Sequence, residues 1–163
     1  MAAPSTSARL NPSSAPTNGI AFEDGYQTLI SFAANPSVKI WEKSVKPPGV
    51  DGGDAIETST MHNTTWRTSA ARALKTLTES TLKGAYDPDV YNDILALVNV
   101  SGSITVTYPD SSTLDFYGFL RTVEFDEMVE GTHPEVTFTI TSTNFDPANR
   151  VEAAPVMTEV AGT

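Results

Sequence analysis

The stretch that decides the fold is GAYDPDVYNDILALV, residues 84–98, which carries the clearest helix signal in the chain. Asp87 can cap this helix, because its carboxylate can accept a hydrogen bond from an otherwise unpaired N–H group of the first turn. Pro88 suits the first helical position, which needs no N–H donor. Asp89 and Asp93 place negative charge near the positive end of the helix dipole. The sequence therefore predicts a helix over about residues 87–98.

The predicted helix has one apolar face. Tyr91, Ile94, Leu95 and Val98 follow the spacing i, i+3, i+4, i+7, so we expect them to lie on the same side. A helix of about three turns cannot bury such a stripe by itself. Because the flanking sequence offers strands, we expect this helix to pack on a β-sheet.

A long loop is predicted before the helix. Residues 47–53, PPGVDGG, cannot form regular structure, and they open an irregular stretch of about 45–69 with at most a short strand near residues 55–58. Loops of this length are uncommon in compact domains and are usually functional or disordered. Because this one carries Met61 and Trp66, which are costly to leave in water, we expect a contact to order it.

The remaining elements are mostly strands. Residues 69–75 have a helix-like composition. Alternating or β-branched runs predict strands at residues 27–33, 38–45, about 76–85, 104–108, 114–125 and 136–140. This order predicts a mainly β, sandwich-like or barrel-like domain with one packed helix. We expect a single domain at 19–146, with flexible arms at 1–18 and 147–163.

The composition of the chain argues against several classes of function. The net charge of −10 and the isoelectric point near 4.4 argue against ordinary nucleic-acid binding, which needs a basic surface. The chain has no cysteine, which excludes disulfides and thiolate metal sites and fits a reducing cytoplasm. No run approaches the ~20 apolar residues of a membrane span, so we expect no membrane anchor.

The residues point to no enzyme and no cofactor. His62 and His133 are the only histidines, too few for a zinc site or a triad. The aspartates at the helix start lack the spacing of a calcium loop. A glycoside hydrolase that uses a pair of carboxylates is one alternative, since several acids are available for such a pair, although nothing marks two of them as special. Those acids are Asp115, Glu124, Asp126, Glu127 and Glu130.

A glycan-binding module is a second alternative. It would need exposed aromatic side chains on one sheet face, and Tyr108, Tyr117 and Phe119 are the candidates. Packing in a core explains these three equally well.

The order of several short motifs resembles the tail tube (major tail) proteins of long-tailed bacteriophages, over roughly residues 20–145. The motifs are GGDAIET at 52–58, MHNTTWRT at 61–68, YDPDVY at 86–91, the strand at 104–110, FYGFL at 116–120, and Glu130-Gly131 followed by Pro134 and the strand to Asn144. The arms lie outside this resemblance.

The resemblance implies a structural role. Family members share a β-sandwich-like fold with one helix and form hexameric rings that stack into a hollow tube, through which the genome leaves the particle. Similar rings occur in contractile tails and in the type VI secretion tube. The implied partners are further copies of the chain, a tape measure protein inside the tube, tail terminator and tail-tip or baseplate proteins, and passing double-stranded DNA bound without sequence specificity. A contractile tail adds a sheath. The implied location is the virion, after assembly in the host cytoplasm.

If copies form rings, the long loop is the expected contact between subunits and rings. Trp66 would then be an anchor in a desolvated pocket, and the basic side chains would meet acids of a neighbour. The interface candidates are Lys43, Lys46, Pro47, Pro48, Met61, Trp66 and Arg67.

The bore of such a tube is expected to be acidic. Six copies, each of net charge −10, carry −60 per ring, and a negative lining would repel DNA phosphates where a basic lining would bind them. The lumen candidates are Glu57, Glu79, Asp115, Glu124 and Glu135. Replacing these acids with Lys should therefore slow genome ejection, measured as DNA release from assembled particles. Normal ejection would contradict the acidic bore.

Overall fold

The computed structural model describes residues 27–159. Within that range the helical segment is a 3₁₀ turn, Pro88–Val90, that leads into α1, Tyr91–Leu97. The strands are β1 (Leu29–Phe32), β2 (Glu42–Lys46), β3 (Val50–Asp51), β4 (Ile56–Glu57), β5 (Ser69–Ala70), β6 (Thr76–Leu77), β7 (Ser80–Ala85), β8 (Gly102–Thr107), β9 (Thr113–Phe125), β10 (Glu135–Ser142), β11 (Phe145–Asp146), β12 (Val151–Glu152) and β13 (Val156–Thr158).

One curled antiparallel sheet dominates the fold. Its strand order is β1-β8-β9-β10-β7-β2, and β13 pairs with the start of β9. The sheet curls into a half-barrel that brings its two edge strands near each other, since the Ile30 N–H on β1 donates to Glu42 Oε1 on β2 at 3.0 Å. The prediction of a mainly β fold with one packed helix is confirmed.

Strand β9 is the spine of this sheet. One side of β9 pairs with β8, and the other pairs with β13 near Thr113 and with β10 from Gly118 to Phe125. The register with β10 shifts between Thr139 and Ile140, so Arg121 is the extra residue of a β-bulge. A single strand thus links three neighbours by backbone hydrogen bonds.

The core fills the concave side of the sheet. Side chains that alternate along each strand point inward, as period-2 patterning requires. The buried apolar residues are Ile30, Phe32, Val38, Leu82, Ile94, Leu97, Ile104, Val106, Phe116, Leu120, Val136, Phe138 and Ile140. Ile94 and Leu97 come from α1, which therefore covers part of the concave side.

The predicted helix and its cap are confirmed, but its predicted buried face is partly wrong. The Asp89 N–H donates to Asp87 Oδ1 at 3.0 Å, and Pro88 takes the first position. Leu95 is 46% exposed, whereas Leu97, outside the predicted stripe, is only 4% exposed. The buried face is instead centred on Ile94 and Leu97, at the spacing i, i+3, and Val90, one turn earlier, packs against the same core.

The predicted long loop is the first part of a larger excursion, residues 47–79, which we call the long hairpin. It leaves the sheet between β2 and β7, and its two arms pair through β3 with β6 and β4 with β5. The helix-like composition of residues 69–75 was misleading, since Ser69–Ala70 form β5. Pairing with the opposite arm overrides the weak local preference.

The C-terminal segment returns to the sheet. The carboxylate of Asp146 accepts from the Ala148 N–H at 2.9 Å and from Asn149 Nδ2 at 2.7 Å, which fixes the turn between β11 and β12. Strand β13 then pairs with β9, so part of the predicted arm at 147–163 belongs to the sheet. The predicted arm at 1–18 lies outside the described residues.

Gly118 should be intolerant of a side chain. A Cβ atom there would lie 2.6 Å from the Thr141 carbonyl oxygen, on the neighbouring strand. Gly118→Ala should therefore lower the free energy of unfolding by about 1–3 kcal/mol in urea titrations. The control is Gly52→Ala, where an added Cβ meets nothing within 4 Å. Equal urea midpoints for the two variants would contradict this packing.

Candidate assembly surfaces

The tip of the long hairpin displays large apolar side chains to solvent. Met61 is fully exposed and Trp66 is 80% exposed. Hydrogen bonds within the tip nevertheless hold its conformation, because Asn63 accepts from the Thr60 N–H at 2.8 Å and donates through Nδ2 to the Trp66 carbonyl at 2.8 Å. Leaving such side chains in water forgoes about 1.5–3 kcal/mol each, so the tip has the character of a contact surface.

The predicted interface residues fall into two groups. Lys43 and Lys46 lie on edge strand β2, and Pro47 and Pro48 follow where the chain enters the long hairpin. Met61, Trp66 and Arg67 lie at the far tip. The candidates therefore lie at the β2 edge of the sheet and at the tip of the long hairpin, and not in a single patch.

The basic candidates differ in their partners. Lys43 Nζ lies 2.7 Å from Glu135 Oε1, whereas Lys46 makes no ion pair with any residue in the described range. Arg67 has a side chain that is 89% exposed, and its Nη1 lies 3.9 Å from Glu57 Oε1. Such a long, exposed pair contributes little, so Arg67 and Lys46 are free to meet a neighbour.

The convex side of the sheet is mostly polar and rich in hydroxyl groups, although Tyr117 and Phe119 of β9 also point to this side. The inward side chains of β7 and β10 alternate with outward ones, and the outward positions pair across strands, as in Thr139 with Thr81 and Thr122. The outward threonines are Thr81, Thr122, Thr137, Thr139 and Thr141. This side is called the polar face below.

The predicted lumen acids do not form one cluster. Asp115, Glu124 and Glu135 lie on β9 and β10 at outward positions. Glu57 lies on the long hairpin, and Glu79 lies just before β7. The structure thus brings three of the five acids to the polar face.

Local partners compensate some of these charges. Glu79 Oε1 lies 2.5 Å from Arg121 Nη1, and Glu135 pairs with Lys43. Asp115 accepts a hydrogen bond from the Thr105 hydroxyl. Glu124 makes no ion pair with a described residue. The hydrogen bond and the charge of Lys43 hold the pKa of the Glu135 carboxyl below its usual value.

The aromatic residues considered for glycan binding are half-buried. Burial raises the pKa of the Tyr117 phenol, and the neighbouring Asp146 carboxylate, which accepts its hydrogen bond, raises it further. Tyr108 and Phe119 are also only partly exposed. These three side chains do not form an open stacking surface for sugars.

The described part of the chain gives little support to metal or acid–base chemistry. Residues 27–159 hold no group of three or more His, Cys, Asp or Glu that could bind a metal ion. His62 lies at the hairpin tip, whereas His133 lies beside Pro134 in the β9–β10 turn, with Nδ1 2.9 Å from the Pro134 carbonyl oxygen. Of the acids considered for hydrolysis, Asp126 pairs with Lys83 at 3.4 Å. No helix among these residues is long and apolar enough to cross a membrane.

An aromatic patch at the end of the sheet was not predicted from the sequence. It consists of Trp41, Tyr86, Tyr91 and Phe125, with ring centroids of Tyr86 and Phe125 5.7 Å apart and those of Tyr91 and Phe125 5.6 Å apart. Trp41 is 69% exposed and Phe125 44% exposed. Trp41 Nε1 donates to Asp87 Oδ2 at 3.3 Å. The available signal was Phe125 at the end of a strand and Tyr86 before the helix, but nothing local shows that they meet.

Comparison with known proteins identifies the fold. No family model and no curated protein matches this sequence. Solved structures share the fold, and three of them are the following. A chain of the virion of a native gene transfer agent particle has a TM-score of 0.60 at 10% identity, covering 84% of this chain and 99% of that one. A chain of the tail of an empty gene transfer agent particle, refined with C6 symmetry, has a TM-score of 0.57 at 9% identity, with the same coverage. A chain of the six-fold symmetrised baseplate of the anti-feeding prophage has a TM-score of 0.60 at 9% identity, covering 90% of this chain and 97% of that one.

The Lys43–Glu135 pair gives a pH prediction. Because Lys43 lowers the folded-state pKa of Glu135, the pair stabilises the protein above the unfolded-state pKa, and this stabilisation is lost as the pH falls through the folded-state pKa. Lys43→Gln should raise the Glu135 pKa toward its ordinary value in an NMR carboxyl titration. Lys46→Gln, the control on the same strand, should leave it unchanged. An unmoved pKa in Lys43→Gln would show that the pair does not form.

Proposed function

We propose that this chain is the subunit of a phage-type tail tube, in which six copies close a ring and rings stack into a hollow tube that delivers a genome into the host. The observation that carries the proposal is the match of the whole domain to chains from tail and baseplate assemblies, two of them with six-fold symmetry. In this proposal the protein is a non-enzymatic virion component that assembles in the host cytoplasm.

The edges of the sheet supply a reason for ring formation. Strands β1 and β2 end the strand order, so each has an outer row of backbone N–H and C=O groups without a strand partner in the described chain, although the Ile30 N–H donates to the Glu42 side chain. Such edges favour pairing with another chain. A head-to-tail contact that repeats six times closes a ring and removes them. Lys43 and Lys46, with Pro47 and Pro48 beside them, would then lie at the contact between ring neighbours.

The arms would extend these contacts. Segments that are unstructured alone can order on a neighbour and wrap around it. In the proposal the arm at 1–18 and the last residues of the arm at 147–163 bind adjacent subunits. Strand β13, within the predicted C-terminal arm, pairs with β9 of its own sheet.

The polar face is the surface proposed to line the bore. A water-filled bore needs a polar lining, and the opposite side of the sheet is occupied by the apolar core and α1. On this face Glu135 is compensated by Lys43, so Asp115 and Glu124 would carry most of the uncompensated negative charge. A lining of hydroxyl groups with a modest negative excess would repel passing double-stranded DNA without binding its sequence.

The proposed tube implies further protein partners. A tape measure protein would occupy the bore before DNA does, a tail terminator would close one end, and tail-tip or baseplate proteins would close the other. A sheath would surround the tube in a contractile tail.

The test is assembly of the purified protein. Negative-stain micrographs should show rings or tubes, and a persistent monomer at high concentration would contradict the proposal. Trp66→Ala should change the free energy of unfolding by less than about 0.5 kcal/mol, because the side chain is exposed in the monomer. If Trp66 is an anchor worth about 2 kcal/mol, the concentration needed for tubes should rise roughly 25-fold.

The matched control for Trp66→Ala is Leu74→Ala, another exposed apolar residue on the long hairpin, at 81% exposure. It should leave the concentration for assembly near that of the parent protein. Equal effects of the two substitutions would show that Trp66 has no special role in the contact.

A further inference from the structure

We infer that the hairpin tip of one copy docks on the aromatic patch of a copy in the next ring, with Trp66 and Met61 packed against Trp41 and Phe125. This inference rests on the proposed tube and names the surface that receives the tip. The occupant of the aromatic patch is therefore a second copy of this chain.

The two surfaces lie at opposite ends of the sheet. The long hairpin joins β7 at Ser80, whereas Ala85, at the other end of β7, pairs with Glu135 and leads into Tyr86. Phe125 pairs with Val136 at that same end. The six residues of β7 separate the two ends by about 16 Å, at the rise of an extended strand. Rings that stack in one direction need two such different, complementary surfaces.

Both surfaces are apolar and open in the monomer. Trp66 and Met61 protrude at one end, and Trp41 and Phe125 are exposed at the other. The aromatic patch borders a shallow crevice between the helical segment and the sheet, lined by apolar groups such as Ile40 and Val90. None of the residues that line it comes from the long hairpin, so the long hairpin of a chain does not fill that chain's own crevice. Aromatic rings attract each other beyond the effect of burying their surface, which suits this contact.

Charge favours another copy as the occupant. Arg67 follows Trp66, and its exposed guanidinium has only a long contact to Glu57. The segments next to the aromatic patch are acidic: Asp87 lines the crevice, and further carboxylates lie on the helical segment and on the turn after Phe125. The further carboxylates are Asp89, Asp93, Asp126, Glu127 and Glu130. Asp126 already pairs with Lys83, and Lys39 also borders the crevice, but acids outnumber bases. A basic tip and these acidic segments attract each other and orient the docking.

Because the natural chain has no cysteine, engineered thiols report this contact directly. The test uses two double variants. One combines Met61→Cys with Lys39→Cys, beside the crevice. The other combines Met61→Cys with Met128→Cys, in the turn after Phe125. Met128 is 58% exposed, so its replacement should leave the fold intact. The control pairs Met61→Cys with Met157→Cys, which is 52% exposed on β13, away from the aromatic patch. Full-length assemblies are oxidised mildly and separated under non-reducing, denaturing conditions.

A ladder of covalent multimers from either test pair, well above the control pair, supports the docking. Mixing two single-cysteine proteins should give covalent dimers and no ladder, because each copy then offers only one end. Tubes in micrographs without cross-links from either test pair, or with equal cross-links from the control, would overturn the docking alone. A parent protein that forms neither rings nor tubes would overturn the proposed function, and the docking with it.

Discussion

The backbone hydrogen bonds of β9 are the interaction on which the rest of the structure depends. Its thirteen residues join β8 on one side and both β10 and β13 on the other. The curl of the sheet and the concave core depend on these pairings. The position of α1 depends on β9 as well, because Val98, just after the helix, bridges to Leu120 and the Asn99 N–H donates to the Leu120 carbonyl. The close approach at Gly118 is where two neighbouring strands leave no room for a side chain.

The same sheet leaves three kinds of surface incomplete. Its edge strands have unpaired backbone groups, the tip of the long hairpin displays Trp66, and the aromatic patch displays Trp41 and Phe125. Each is costly alone, and in the proposed tube each would be covered by another copy. The proposed ring and the inferred docking between rings would then share one cause, which is surface that a single domain leaves uncovered.

Much of the fold was predictable from short-range signals. The Asp87 cap, Pro88 and the alternation of Ile104, Phe116 and Phe138 act within a few residues, and the structure contains the corresponding cap and strands. The predicted tip residue Trp66 stood out because a large aromatic side chain in a polar loop has no local partner. The aromatic patch was missed, because its members come from three segments, around residues 41, 86–91 and 125, that approach one another only after β2, β7, β9 and β10 pair.

The sequence by itself determined the helix start, the strand character of most segments and the acidic surface, because capping, alternation and charge are properties of neighbouring residues. Only the tertiary structure decided that Leu97 and not Leu95 is buried, that residues 69–70 form a strand, and that β13 returns to β9. Each of these depends on pairing or packing between segments distant in sequence. Such contacts are chosen by the whole fold, whose free energy overrides local preferences of a few tenths of a kcal/mol.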